Sequence, residues 1–301
     1  MEIANAFTEK ANPDSYTFPM KVGFCQKCAM VQLVEQPDRE MMFHENYAFY
    51  ASTSNYMITH FRELAENIIS LQNLDNDSLV IELGSNDGIL LKPFNNLGIK
   101  AIGVEPAQNI VQLARQKGCE VINDFFNSKT AQTIKKKYGE ASLICANNVF
   151  AHIDDMHEPM KGIKLLLKGD GVFVFEVHYL VDLLEQFQFD MIYHEHMMHH
   201  SLTALSYLLN LFDMEIFDAL RISIHAGSIR VYAQNKKEGK KIIEPIVKKL
   251  FDLEKAKKVD QVNTLIQFGK DTYRKRDSLI KLITKLKSQG KRIIGYGASG
   301  R

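Results

Sequence analysis

The spacing of hydrophobic residues predicts one long helix followed by an alternation of strands and helices. The apolar positions of that first helix, predicted over 56–71, are Ile58, Phe61, Leu64, Ile68 and Leu71. The predicted strands after it are SLVIEL, KAIGVE, CEVIN, ASLICANN and VFVFEVHY, and the helices between them are GILLKPFNNLG, AQNIVQLARQKG, SKTAQTIKKKYG and DMHEPMKGIKLLLKGDG. Strands that alternate with helices predict a parallel sheet covered on both faces, an α/β doubly wound core over residues 56–200.

The segments on either side of this core follow other patterns. Residues 1–55 contain several prolines and many aromatics, and we expect them to be irregular. Residues 201–301 begin with a predicted helix, SLTALSYLLNLF, and two predicted strands, DMEIFDAL and GSIRVYAQ. A lysine-rich helical region follows over 237–288, and the chain ends in KRIIGYGASGR, a predicted strand that leads into G-x-G-x-x-G. The sequence therefore predicts three parts, of which the third is an incomplete α/β domain.

The overall composition excludes several classes of partner. The chain has 37 basic and 36 acidic residues, a net charge of +1, which argues against nucleic-acid binding. It contains no apolar run near the roughly 20 residues of a membrane span, and it begins without an export signal. Four cysteines do not form a disulfide framework at this length. We expect a cytoplasmic protein without a membrane partner.

A loop with two glycines follows the first predicted strand of the core. In VIELGSNDG, Glu82 lies on the strand, while Gly84 and Gly88 allow the backbone to approach a ligand near a helix N-terminus. A dinucleotide fold would place G-x-G-x-x-G here to hold a pyrophosphate. Asn86 and Asp87 occupy this loop instead, and an acid is a poor neighbour for phosphate. The loop favours a cationic ligand, such as a sulfonium that carries an amino-acid ammonium.

Polar residues at the ends of the next strands extend the same site. Glu105 in GVEP is placed to accept two ribose hydroxyls. In NDFF, Asp124 is placed to meet the adenine amino group and Phe125 to cover the ring. Asn147 ends the fourth strand, at the edge where ligands of open α/β sheets bind. Together these residues predict binding of S-adenosylmethionine rather than NAD.

Longer stretches are distinctive in combination. They are IANAF, CQKCAMVQL, ENYAFYASTS, IELGSNDGILL, GVEPAQN, NNVFAHIDD, FEVHYLVDLLEQFQFDMIYHEH, SLTAL, HAGSIRVY and GYGASGR. In these stretches the sequence resembles the S-adenosylmethionine-dependent sugar C-methyltransferases, which act on nucleotide-activated keto-deoxysugars. The resemblance implies a zinc-binding N-terminal segment, a methyltransferase core, and a C-terminal Rossmann-like domain that helps to hold the nucleotide sugar.

The resemblance also implies a metal site and a trimmed chain. Cys25 and Cys28 look like half of a zinc knuckle, which a second C-x-x-C pair upstream of IANAF completes in the family. No thioredoxin-like pattern surrounds them, so a redox pair is disfavoured. Because the chain starts at Met1 and stops at Arg301, we expect an incomplete zinc site and incomplete nucleotide recognition.

The stretch DMIYHEHMMHH, residues 190–200, contains four histidines and admits three interpretations. Histidines with a carboxylate could bind a metal, could play a structural role, or could serve acid–base chemistry. No spacing typical of a zinc protease or zinc finger is present. We favour acid–base chemistry, with His194 buried and structural, and His199 and His200 near the surface.

Methyl transfer to carbon requires acid–base groups such as those in residues 190–200. A carbon beside a ketone has no lone pair, so it must first lose a proton to a base, and donors must stabilise the enolate oxygen. By the family resemblance, His196 is the base, and Glu195 orients it or holds a sugar hydroxyl.

The remaining site residues follow from the same resemblance. Tyr193 and His152 line the pocket and stabilise the enolate or position the substrate, and Tyr47 closes over it. His178, after the last core strand, is placed to touch the substrate. The predicted partner is a nucleotide-linked keto-deoxysugar, and the predicted oligomeric state is a monomer or a dimer.

Other functions remain open from the sequence. One is a metal-dependent hydrolase or lyase that uses the histidines of 194–200. Another is an O- or N-methyltransferase, whose cofactor half would look the same. A third is a binding protein that retains the fold without chemistry.

Overall fold

A computed structural model describes residues 17–43 and 47–295. Its strands are β1 (Val22–Phe24), β2 (Val31–Leu33), β3 (Leu79–Leu83), β4 (Lys100–Val104), β5 (Glu120–Ile122), β6 (Ala141–Asn147), β7 (Leu167–His178), β8 (Met198–His199), β9 (Met214–Ile222) and β10 (Ser228–Asn235). Its α-helices are α1 (Arg39–Met42), α2 (Asn55–Gln72), α3 (Leu91–Asn96), α4 (Gln108–Gln116), α5 (Ser128–Tyr138), α6 (His157–Leu166), α7 (Leu180–Glu185), α8 (Leu202–Asn210), α9 (Pro245–Lys257) and α10 (Val262–Ser288).

The central element is a seven-stranded sheet in the order β5-β4-β3-β6-β7-β10-β9. Neighbours from β5 to β7 run parallel, whereas β10 pairs antiparallel with both β7 and β9. The chain moves outward from β3 to β5 and then returns to β6 on the other side of β3. The carboxyl ends of β3 and β6 therefore form the switch point at which such sheets bind ligands. The predicted doubly wound α/β fold is confirmed.

Strand β3 shows why the sequence forms a two-sided core. Its side chains alternate between the two faces of the sheet, so Leu79, Ile81 and Leu83 join one buried apolar cluster and Val80 joins the other. Every residue of β3 is buried. A strand covered on both faces needs a continuous apolar run, which is the pattern in SLVIEL.

The segment after residue 200 continues the sheet of the core. Both β9 and β10 follow the expected core boundary, yet they pair directly with each other and, through β10, with β7. The division into three parts stays a prediction. The seven-stranded sheet extends across the boundary that was predicted at residue 200. No strand forms over 291–295, where KRIIG predicted one, and Ile294 is 84% exposed. The remainder of the GYGASGR motif lies outside the described residues, as does IANAF.

The N-terminal part is less irregular than its sequence suggests. Strands β1 and β2 form an antiparallel hairpin, and the C-x-x-C stretch forms its turn. β2 then pairs with β8, with Val31 opposite His199. The expectation that His199 and His200 lie near the surface is wrong, because this pairing places the segment inside the protein, where the two side chains are 2% and 0% exposed. Within the two described ranges, no helix is both long and apolar enough to cross a membrane.

A buried ion pair joins β7 to β10. Glu176 is fully buried, and Arg230, directly opposite it in the register, donates to its carboxylate at 2.7 Å. His60 of α2 lies 3.0 Å from the other carboxylate oxygen. Despite the burial, these partners keep the pKa of Glu176 below its ordinary value. The pair therefore ties α2 to strands β7 and β10 of the sheet.

Removing one partner of this pair should destabilise the fold. Arg230→Met leaves the Glu176 carboxylate buried with His60 as its remaining partner, and we expect a loss of about 3–5 kcal/mol in the free energy of unfolding. Denaturant titration measures this loss. The control is Lys240→Met, which removes an exposed pair with Asp170 and should change little. Equal stability of the two variants would contradict this role of the pair.

His200 should make stability depend on pH. Burial, and then its neighbours His199 and His178, lower the pKa of His200 to about 3, whereas an unfolded histidine titrates near about 6.5. The contribution of the neutral ring is complete above the unfolded pKa and is lost as pH falls toward the folded value.

The matched variant is His200→Gln, which cannot titrate. Between about pH 7 and pH 5, the parent protein should lose on the order of 1–2 kcal/mol more unfolding free energy than the variant. Denaturant titrations at the two pH values give the comparison. An identical pH dependence in both proteins would show that His200 titrates normally in the folded state.

Candidate active site

A cavity of about 230 Å³ opens at the carboxyl edge of the parallel strands. Its wall includes residues that follow β3, β4 and β6, together with the end of β7. Twelve of the predicted site residues lie on this wall: Tyr47, Glu82, Gly84, Asn86, Glu105, Phe125, Asn147, His152, His178, Tyr193, Glu195 and His196. Four do not: Gly88, Asp124, Cys25 and Cys28. The cofactor half and the histidine half that the sequence predicts thus share one cavity.

Glu82 and Asn147 meet at the switch point of the sheet. Both side chains are at least nine-tenths buried. Within the described part of the chain, Glu82 Oε2 and both polar atoms of the Asn147 amide make no well-formed hydrogen bond, although the amide lies close enough to Glu82 to favour its charged form. Burial raises the pKa of Glu82 well above its ordinary value. Buried polar atoms that lack partners are costly, and their position on a cavity wall indicates that a polar ligand completes them.

Glu105 is held by backbone donors. The N–H groups of Asn86 and Ala107 each donate to one of its oxygens at 3.0 Å. Burial nevertheless raises the pKa of Glu105 to about 7. Each oxygen keeps a further lone pair, so the carboxylate can still accept the two hydroxyls of a ribose.

The two glycines of the loop after β3 serve different purposes. Gly84 has φ of +60° and faces the cavity, and a Cβ there would lie 2.6 Å from a methyl group of Val149. Gly88 has φ of +80°, but a Cβ would meet the buried Sγ of Cys119 at 2.6 Å. Gly84 therefore shapes the ligand wall, whereas Gly88 allows the loop to pack against Cys119, just before β5.

The side chains of Asn86 and Asp87 bind the protein itself. Asn86 accepts from the Ala51 N–H at 2.9 Å and donates to the Phe49 carbonyl at 3.2 Å. Asp87 is buried and accepts from Lys117 at 2.8 Å and from Ser52. Asn86 and Asp87, which the sequence assigned to a cationic ligand, thus hold the segment 47–53 over the cavity. Tyr47 reaches the wall in this way, and its carbonyl accepts from Asn109 at 2.9 Å.

Phe125 lies on the wall while Asp124 lies beside it. The exposed Asp124 carboxylate accepts from Thr130 at 3.0 Å and from the Phe125 N–H at 2.8 Å. Arg39 places its guanidinium 4.5 Å from the Phe125 ring centroid, a cation–π contact that the sequence did not suggest.

The charge of the wall suits a cation. Its carboxyl groups are those of Glu82, Glu105, Asp154, Asp155, Glu158 and Glu195. Among the described residues on the wall, Arg39 is the single lysine or arginine. The unpartnered atoms of Glu82 and Asn147 and this excess of carboxyl groups fit S-adenosylmethionine, which is a sulfonium with an ammonium group. They do not fit a dinucleotide pyrophosphate, which needs backbone donors or cations.

His196 is held as a free base. Its Nδ1 lies 3.1 Å from the Met191 carbonyl, which can only accept, so Nδ1 carries the proton. Nε2 therefore has the lone pair, and the Tyr193 hydroxyl donates to it at 3.1 Å. Burial, together with the neighbouring His152, His178 and His199, lowers the pKa of His196 well below its ordinary value. The ring is thus neutral at pH 7.

Three further histidines extend from His196 along the wall. Its ring centroid lies 5.2 Å from those of His152 and His178, and His178 lies 5.9 Å from His225. Nδ1 of His152 donates to the Glu195 carbonyl at 2.6 Å, and burial lowers the pKa of His152 to about 4. Sequence reasoning missed His225. The motif HAGSIRVY contains it, but only the turn between β9 and β10 brings it to this cavity.

The histidines of the 190–200 stretch separate in the structure. His196 lies on the cavity wall, whereas His194, His199 and His200 are buried and absent from the wall. His194 is fully buried with its ring 5.6 Å from that of Phe18, as its predicted structural role requires. Across residues 17–43 and 47–295, no three His, Cys, Asp or Glu side chains are grouped so that they could hold a metal ion.

Cys25 and Cys28 lie in the hairpin turn. The backbone N–H groups of Cys28 and Lys27 lower the pKa of the Cys25 thiol, whereas burial raises that of Cys28. A thiolate is the form that binds zinc, and donors to sulfur favour it. Two cysteines of this turn fit half of a tetrahedral zinc site.

Comparison with known sequences agrees with this arrangement. Three family models match: "Putative zinc binding domain" over residues 1–43, "Methyltransferase domain" over 56–218, and "C-methyltransferase C-terminal domain" over 223–301. A curated relative, C-methyltransferase NovU of Streptomyces niveus, is 33% identical over 281 residues, which are 93% of this chain. The chain spans 66% of the length of that relative.

Two solved structures match the chain at low sequence identity. The PH0226 protein of Pyrococcus horikoshii matches with a TM-score of 0.49 and 13% identity, over 62% of this chain and 95% of that one. Magnesium protoporphyrin IX methyltransferase of Synechocystis, with bound SAH, matches with a TM-score of 0.45 and 16% identity, over 58% of this chain and 82% of that one.

The methyltransferase model covers more than half of the 301 residues, and it matches the segment that forms the parallel sheet and most of the cavity. The resemblance seen in the sequence motifs is thereby confirmed at the level of the family. The chain belongs to the methyltransferase family.

Proposed function

We propose that this chain transfers a methyl group from S-adenosylmethionine to a carbon beside the keto group of a nucleotide-linked deoxysugar. The observation that supports this most strongly is the neutral His196, whose Nε2 lone pair lies on the same cavity wall as Glu82, Glu105 and Asn147. A transferase that methylates oxygen or nitrogen uses a lone pair on the substrate. The carbon beside a ketone has no lone pair until a base removes its proton.

The cofactor residues have distinct tasks in this proposal. Glu105 accepts the ribose hydroxyls, and Phe125 packs against the adenine ring. Glu82 and Asn147 form hydrogen bonds with the polar groups of the methionine part of S-adenosylmethionine. Asp124 reaches the adenine amino group from the rim, and Gly84 leaves room for the ligand. Bound in this way, S-adenosylmethionine supplies an electrophilic methyl group.

The substrate residues perform the proton chemistry. Nε2 of His196 takes the proton from the sugar carbon, whose electron pair then forms the new bond to the methyl carbon. Tyr193, which donates to the same Nε2 before the substrate binds, turns its hydroxyl to the enolate oxygen. His152 and His178 position the sugar, Glu195 holds a hydroxyl, and Tyr47 covers the substrate.

The charge of the cavity wall also indicates where the nucleotide of the substrate binds. A diphosphate needs cationic or backbone donors, and the described wall offers Arg39 against six carboxyl groups. The proposal therefore assigns the nucleotide end of the substrate to a surface outside this cavity, in keeping with the family model of a C-terminal domain over 223–301. Zinc held by Cys25 and Cys28 and a cytoplasmic location belong to the same proposal.

Replacement of the base tests the mechanism. His196→Asn removes the lone pair at the reacting position, and we expect methyl transfer to fall by about 10²–10⁴-fold. Mass spectrometry of the sugar product, with a dTDP-linked 4-keto-6-deoxyhexose as the substrate, measures the loss. Calorimetry with S-adenosylhomocysteine should give an unchanged affinity, because His196 lies in the substrate half of the cavity.

The matched control is His157→Asn, at an exposed histidine of α6 that is absent from the cavity wall. It should retain both the activity and the cofactor affinity. If His196→Asn were as active as this control, His196 would not be the base.

A further inference from the structure

The proposed reaction must dispose of a proton in each turnover. The C–H bond breaks, its electron pair becomes the new C–C bond, and the electron pair of the S–CH₃ bond remains on sulfur. A sulfonium cation and a neutral ketone thus give a neutral thioether, a neutral methylated ketone and one proton. That proton resides on His196. His196 must release it to water before it can act again.

Both nitrogens of His196 have partners before a substrate binds, and the residue is only partly exposed. Its Nδ1 faces the Met191 carbonyl at 3.1 Å, and its Nε2 faces the substrate position beside the Tyr193 hydroxyl. On one side lies His152, whose Nδ1 is engaged with the Glu195 carbonyl and whose ring is covered by that of Phe43 at 5.8 Å. His152 therefore has one nitrogen engaged and one face of its ring covered, although the residue is partly exposed.

The path on the other side leads to solvent. The ring centroid of His178 lies 5.2 Å from that of His196, and the centroid of His225 lies 5.9 Å from that of His178. All three rings line the cavity, whose interior can hold water. Centroid separations of this size allow nitrogen atoms to connect through a single water molecule. His178 is 6% exposed, whereas His225 is exposed to solvent.

His178 has the properties of an intermediate carrier. Its ring lies on the cavity wall near the Gly227 backbone, and its buried Nδ1 makes no well-formed hydrogen bond among the described groups. Burial, together with His225, His199 and His152, lowers the pKa of His178 to about 3. The ring is therefore neutral, with one N–H to give and one lone pair to receive. Burial disfavours the charged ring, so a proton placed on it moves on.

The turn between β9 and β10 fixes His225 at the mouth of the cavity. His225 has φ of +52°, in the left-handed region that is uncommon for a non-glycine residue. The Gln188 side chain donates to the carbonyl of the next residue, Ala226, at 2.7 Å, and the Ser228 hydroxyl donates to the Ile224 carbonyl at 3.0 Å. A strained conformation held by such bonds is typical of a functional position.

We propose that His178 and His225 pass the proton from His196 to solvent. The inference rests on the proposed function, since it concerns the proton that carbon methylation releases. His178 accepts at one nitrogen and gives up the proton on the other, His225 repeats the exchange, and bulk water or buffer takes the proton. No bond other than N–H and O–H changes, and no redox partner is needed.

The decisive variant is His225→Asn. Asparagine tolerates the left-handed conformation, so the turn should keep its geometry. In dilute buffer, with S-adenosylmethionine and a dTDP-linked 4-keto-6-deoxyhexose as the probe, we expect kcat to fall about tenfold or more while KM stays unchanged. Added imidazole should restore kcat, because a small base can reach the mouth of the cavity. The parent protein and His157→Asn should not respond to imidazole.

A second variant and a second readout complete the test. His178→Asn should lower kcat without rescue, since the gap it leaves is buried. With S-adenosylhomocysteine in place of the donor, the parent protein should exchange the α-proton of the probe with D₂O, and His225→Asn should exchange it more slowly.

The outcomes separate the two proposals. If His225→Asn keeps full kcat in dilute buffer, or loses activity that imidazole does not restore, the relay is overturned while the proposed function stands. If the parent protein neither methylates the probe nor exchanges its α-proton, the proposed function is overturned, and the relay with it.

Discussion

The site depends on the backbone pairing of one short segment, residues 197–200, with three separate parts of the protein. The Leu33 N–H donates to the Met197 carbonyl at 2.8 Å, and β8 continues this pairing with β2. The Met197 N–H donates to the Ala151 carbonyl at 2.8 Å, next to His152. The Leu180 N–H donates to the His200 carbonyl at 2.8 Å, two residues after His178. These bonds bring His152, His178 and His196 into one cavity, and loss of any of them would separate residues that lie far apart in the chain.

Burial then determines the charge state of the site. The carboxyl groups of Glu82 and Glu105 are hard to ionise there without a ligand, because removal from water disfavours the charged form. The same effect keeps His152, His178 and His196 neutral. A cationic ligand would favour ionised carboxylates beside it, and neutral imidazoles would remain available as bases. One cavity can therefore bind a sulfonium and also support proton abstraction from carbon. Burial raises the pKa of its carboxyl groups and lowers the pKa of its histidines.

The fold could be predicted from the sequence because strands buried on both faces of a sheet are continuous apolar runs in the sequence. Glycines also mark the ends of the helices between them. The hairpin β1–β2 was missed because strands of three residues leave little periodic signal. The burial of His199 and His200 was missed for a different reason. Histidine is polar, so nothing local in MMHH reveals that β2 and Tyr179 pair with it from distant parts of the chain.

The candidate site shows the same division. Glu82, Glu105 and Asn147 could be placed in advance, because the carboxyl ends of parallel strands converge by rule. The tasks of Asn86 and Asp87 could not, since they depend on segment 47–53 folding back over the loop. His225 was missed because a turn between antiparallel strands, whose position only the completed sheet defines, carries it to the cavity.

The central claim is that the acceptor atom is carbon. Incubation with S-adenosylmethionine labelled with carbon-13 in its methyl group, together with a dTDP-linked 4-keto-6-deoxyhexose, tests it directly by NMR of the product. The account predicts a labelled methyl group attached to a ring carbon next to the keto group, with loss of the α-proton from that carbon. A labelled methoxy or N-methyl signal, with the α-proton retained, would contradict it.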